Sequence, residues 1–98
     1  MINVITGYKV SRGKDIRPIL LKLRSHAMQY PGFRGAENLL SEKDSSLIVM
    51  VGAWDKAEDW RVWEESTIGQ DLLRRAEILL AEEPRVTIYR VMPTRIWA

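Results

Sequence analysis

Trp54, Trp60 and Trp63, three of the chain's four tryptophans, fall within ten residues. Trp54 ends the apolar run Leu47–Trp54, and Trp60 and Trp63 lie three apart, so they share a face of the helix that the following residues predict. Each indole can bury roughly 150–250 Å². Indoles gathered where a strand hands over to a helix either fill the core or wall a pocket for a flat aromatic molecule. The other residues with polar or polarisable side chains are open in the same way. Asn3 and Thr6 lie on a largely apolar first strand and either point into such a cavity or hydrogen-bond a neighbour. Tyr8 and Tyr89 offer hydroxyls to a pocket wall or to the sheet surface. His26, the only imidazole, follows Leu23 by three on the rim of a helix's apolar face; it lines the cavity or stays at the surface. Met50 and Met28 fill gaps in the core or touch a ligand.

Composition removes several classes of function. Ninety-eight residues, 46% hydrophobic and 29% charged, predict one globular domain over 1–98, with 92–98 as a tail. With no cysteine there is no disulfide framework, thiolate metal site or cysteine nucleophile, and a cytoplasmic location is expected. The opening Met1-Ile-Asn-Val-Ile-Thr6 lacks a basic region and reads as a strand rather than a signal peptide. No apolar run approaches the ~18 residues of a membrane span. A net charge of +2, with acids and bases interleaved around Glu64-Glu65, Arg74-Arg75 and Glu82-Glu83, leaves no stripe for nucleic acid. There is no Gly-x-Ser-x-Gly elbow and no His-Glu-x-x-His pair, so hydrolase and zinc-protease chemistry lack their residues.

The elements that must position the indoles follow from periodicity. Ile2–Val10 is rich in Val, Ile, Thr and Tyr and predicts a strand. Ile16, Ile19, Leu20, Leu23 and Ala27 recur at helical spacing between Asp15 and Gln29, with Pro18 tolerated in the first turn. Tyr30-Pro31-Gly32 stops that helix. Phe33–Ser41 and Leu47–Trp54 predict a hairpin across Glu42–Ser46. Asp55 and Glu58 have the spacing of a capping box for a second helix, and Thr67 and Gln70 that of another. Ile68, Leu72, Ala76 and Leu79 mark a third helix, Pro84 ends it, and Arg85–Val91 is the last strand.

The order βαββα(α)β predicts an α+β, ferredoxin-like layer: a four-stranded antiparallel sheet with helices on one face. The third strand is apolar on both faces, with Leu47, Val49, Val51 and Ala53 alternating with Ile48, Met50, Gly52 and Trp54. One chain's helices cover only one side of its sheet. A bare apolar face marks an interface, so a homodimer joined through its sheet faces is expected.

Pro31-Gly32-Phe33 before a strand, the strand ending at Trp54, and above all Trp54 to Ser66 with Trp60-Arg-Val-Trp63-Glu-Glu-Ser66 resemble the antibiotic biosynthesis monooxygenase domain, over about Asn3 to Val91. The resemblance implies a dimeric α/β barrel of two ferredoxin-like units. It also implies a monooxygenase acting on a small aromatic, polyketide or quinol-like substrate with O₂ and no metal or flavin. The family is diverse, and a non-catalytic dimeric module that binds a ligand or serves a structural role is the alternative.

Such chemistry needs a dry, flat pocket, a group to take a proton and a donor to steady the developing anion. Under the resemblance Trp63 is the aromatic wall with Trp60 beside it. Asp59, one helical turn before Trp63, is the base or hydrogen-bond partner, where the polyketide-oxidising branch resembles this chain but has an amide. Asn3, His26 and Met50 complete the expected substrate contacts. The haem-degrading branch is similar around Trp63 but uses a histidine ten residues later and an asparagine on the first strand. Leu73 and Thr6 stand there, and leucine cannot ligate iron, so haem turnover is not expected.

Overall fold

The structure, a computed structural model, describes residues 1–93. Its elements are β1 (Ile2–Lys9), α1 (Arg17–Ala27), β2 (Phe33–Leu40), β3 (Leu47–Trp54), α2 (Ala57–Glu64), α3 (Thr67–Glu77) and β4 (Arg85–Arg90). The strands form one antiparallel sheet in the order β2-β3-β1-β4, the ferredoxin-like arrangement. Of the expected tail, only Met92 and Pro93 are among the described residues.

Two helix starts differ from expectation. Asp55 does not cap α2; Lys56 holds the N-cap position without a side-chain bond. The Asp55 carboxylate instead accepts from the Arg34 guanidinium of β2, at 2.6 Å from Nε and 3.3 Å from Nη2. A charge-assisted pair to a neighbouring strand takes the oxygens a capping box would have used. At α3 the cap is Ser66 rather than Thr67, with Ser66 Oγ accepting from the Gly69 N–H at 3.0 Å. Gln70 turns to the Glu64 carbonyl, donating from Nε2 at 2.6 Å. Gly69 lets α3 begin against α2, because a β-carbon there would run into the Trp63 carbonyl oxygen.

Strand register decides which side chains meet the helices. Ile2 pairs with Trp54, Val4 with Gly52, Thr6 with Met50 and Tyr8 with Ile48. That face packs into two adjoining clusters. In one, Ile2, Val4 and Trp54 meet Ala27, Trp63 and Leu72; in the other, Tyr8 meets Ile16, Ile19, Leu20 and Ala76. The alternate residues Asn3, Ile5 and Gly7 pair with Ala53, Val51 and Val49 and so lie on the opposite face. Among the described residues none of this chain's helices covers that face, and Val49 and Val51 are only half-buried.

Candidate functional site

A cavity of about 100 Å³ lies between the sheet and the helices. Val4, Thr6 and Tyr8 of β1 and Met50, Gly52 and Trp54 of β3 form its floor, with Phe33 and Ala36 of β2 at one edge. Leu23, Arg24 and Ala27 of α1, Trp60, Trp63 and Glu64 of α2, and Gly69 and Leu73 of α3 close it from above. Two of the indoles are braced by other rings. Tyr30 meets Trp63 edge to face at 5.2 Å and 61°, and Phe33 meets Trp54 at 5.0 Å and 66°. These are favourable geometries for aromatic pairs. Trp54 (2% exposed) and Trp63 (7%) are thus core residues that also wall the cavity. The two readings of the tryptophan cluster are not exclusive.

The polar groups sort by depth. Tyr8 is 4% exposed, and burial pushes its phenol pKa up to about 12, a hydrogen bond with Thr6 acting in the opposite direction. At neutral pH the Tyr8 phenol therefore keeps its proton and serves as a donor rather than a base. Arg24 is exposed and Glu64 half-buried, so the charged side chains mark the solvent end of the cavity. Among the described residues Glu64 is the only carboxylate that lines it.

The expected site residues divide in two. Trp60, Trp63 and Met50 are brought together in the cavity wall. Asp59, Asn3 and His26 are not. On a helix advancing about 100° per residue, Trp63, Trp60 and Glu64 span one arc centred near Trp60, and Asp59 falls outside it beyond Trp63. The Asp59 carboxylate packs against Gly32 instead, in the space a β-carbon there would occupy. Asn3 has the wrong parity on β1 and belongs to the opposite face of the sheet. His26 is half-buried on α1, but the residues of its helix that reach the cavity are Leu23, Arg24 and Ala27. Glu64 and Arg24 went unnoticed in the sequence. The available signal was that Glu64 follows Trp60 by four, the same spacing that favoured Asp59 with Trp63. Leu73 and Thr6, the positions where the haem-degrading branch is similar but carries histidine and asparagine, both line the cavity. Among the described residues no group of three or more His, Cys, Asp or Glu side chains could hold a metal ion.

An antiparallel sheet roofed by helices on one face, with an indole-walled cavity in between, defines a ferredoxin-like α+β domain. The sequence profile of the family described as antibiotic biosynthesis monooxygenase matches residues 1–84, and the chain belongs to that family. Solved structures agree in fold. SnoaB from Streptomyces nogalater, a cofactor-independent oxygenase, superposes with a TM-score of 0.83 at 12% identity, over 95% of this chain and 94% of that one. A protein from Nitrosomonas europaea, named for the same family without a stated substrate, gives 0.84 at 18% identity over 95% and 100%. A conserved protein from Methanosarcina mazei Go1 gives 0.84 at 15% identity over 91% and 90%. Comparison with curated protein sequences gives no match. Among the described residues no helix is long and apolar enough to cross a membrane.

Proposed function

We propose that the chain is a cofactor-independent monooxygenase that oxidises a small, electron-rich phenol or quinol-like ring with O₂ in this cavity. The observation that carries the reading is one apolar, indole-walled space holding both a protonated phenol, Tyr8, and a carboxylate, Glu64. Trp60, Trp63 and Met50 hold the ring by packing. Glu64, at the solvent end, takes the proton of the ring's outward hydroxyl, the role that spacing had given to Asp59. Tyr8 donates to the ring oxygen at the buried end.

The electrons come from the substrate. The phenolate ring carbon bonds to one oxygen atom of O₂, the adduct takes up a proton as a hydroperoxide, and the O–O bond breaks. The ring C–H becomes C=O, the second oxygen leaves as water, and the four electrons needed to reduce O₂ are those lost as phenol becomes quinone. Membership of the family and the likeness in fold to SnoaB support this reading. The acting unit is a homodimer, in which a second copy covers the sheet face that carries Ile5, Val49 and Val51.

An oxygen electrode with a panel of substituted phenols and hydroquinones, in the presence of a chelator, tests the activity. Uptake above autoxidation, one O₂ per quinone, is expected. The cavity's small volume favours one other reading, a dimeric module that binds a ring and does not oxidise it. Saturable binding with no uptake across the panel would establish that module instead.

A further inference from the structure

We infer that this cavity selects a single-ring phenol, with the phenolic hydroxyl held at the Tyr8–Thr6 end, and excludes fused-ring phenols. The inference rests on the cavity being the substrate site and adds the class of ligand. Its first ground is size. A closed apolar cavity of roughly 150 Å³ holds one benzene, and pockets for drug-sized ligands run to about 300–1,000 Å³. The space here, about 100 Å³ and open to solvent at the end marked by Arg24 and Glu64, is nearer the first figure than the second.

The walls offer little slack. Trp54 and Trp63 are locked by Phe33 and Tyr30. The Trp54 indole folds back over Gly52, its Nε1 3.5 Å from where a β-carbon would stand. A second fused ring would have to displace a core indole rather than a surface side chain.

The second ground is a proton count. The hydroxyls of Tyr8 and Thr6 carry one proton each, and a hydrogen bond between them would use only one. Whichever way that bond runs, one O–H is left for a third oxygen, and both side chains line the cavity. Around this donor the inner walls are aliphatic or aromatic: Val4, Met50, Gly52, Leu73 and the indoles. The charged side chains of Arg24 and Glu64 sit at the solvent end, where a ring substituent emerges. A molecule that fits both ends has one ring, a hydroxyl going in and a polar or charged group coming out.

Isothermal titration calorimetry without oxygen tests this on the intact protein, because no turnover is required. The ligands are 4-methylphenol, toluene and 2-naphthol. We expect saturable binding of 4-methylphenol, weakened about five- to tenfold in Tyr8→Phe, with toluene binding unchanged in that variant. Thr6→Val should weaken 4-methylphenol in the same way, which covers the case that Tyr8→Phe folds poorly. 2-Naphthol should give no saturable heat with the native chain and should bind once Leu73→Ala enlarges the cavity. Binding of 2-naphthol to the native chain as tight as that of 4-methylphenol, equal loss of toluene and 4-methylphenol in both hydroxyl variants, or no binding of 4-methylphenol would overturn the inference. Selective binding with no oxygen uptake would remove the oxygenase reading alone, whereas oxygen uptake with a fused-ring phenol would remove this inference alone.

Discussion

The Asp59 carboxylate rests on the backbone of Gly32, in the space a β-carbon would fill. Gly32 has φ +90°, a conformation that L side chains rarely adopt. It closes the turn after α1, and its carbonyl accepts from the Asp55 N–H at 2.8 Å. The start of α2 is thus seated on the loop before β2, and this seating aims Trp60, Trp63 and Glu64 at the sheet. Gly32→Ala should destabilise the chain by roughly 2 kcal/mol or more, part backbone strain and part collision with Asp59. In an Asp59→Gly background the collision disappears, so a double-mutant cycle by urea denaturation should show coupling of at least about 0.5 kcal/mol. Strict additivity would mean that the two residues do not touch.

Register assigns the neighbouring β3 residues Met50 and Val51 to opposite faces of the sheet. Met50→Asp places a charge under the helices beside Tyr8 and Ile48 and should abolish cooperative unfolding or cost several kcal/mol. Val51→Asp should spare the core and split the dimer. Light scattering at micromolar concentration should give about twice the 11.4 kDa chain mass for the native protein and the single-chain mass for Val51→Asp. A native protein that runs as a monomer would contradict the dimer.

Alkaline stability reports on Tyr8. Its folded-state pKa of about 12 lies above the ordinary 10.0, so the folded state holds this proton more tightly than the unfolded chain. The sign follows: the contribution is intact below about pH 10 and is lost as pH rises from 10 towards 12. Two pKa units correspond to roughly 2–3 kcal/mol at most. Denaturant melts between pH 9 and 12 should show this loss in the native chain relative to Tyr8→Phe. Parallel curves would place the hydroxyl in water rather than in the cavity floor.

Legibility from the sequence depended on whether a signal was local. β3 was readable to the residue, because eight consecutive apolar positions bounded by polar ones leave little choice. The start of α2 was not, because the partner that removes Asp55 from capping, Arg34, lies 21 positions away and adjoins it only once the hairpin forms. Asn3 and Thr6 looked alike in the sequence, and only the pairing of β1 with β3 fixes which parity faces the helices. Asp59 with Trp63 and Trp60 with Glu64 offered the same four-residue spacing. Spacing shows which side chains are neighbours on a helix, but not which side of them meets the sheet. Glu64 was further hidden as half of the pair Glu64-Glu65, which reads as solvated surface.

The distinction between those two acids is the most direct test of the central claim. Initial rates of oxygen uptake with a single-ring hydroquinone should be compared for the native chain, Glu64→Gln and Asp59→Asn, each first shown to melt like the native protein. The expected result is a fall of about 10²-fold or more for Glu64→Gln, in the range for losing a general base, with Asp59→Asn within about twofold of native. A Glu64→Gln variant at the native rate, or a loss confined to Asp59→Asn, would contradict a reaction carried out in the cavity lined by Trp60, Trp63 and Glu64.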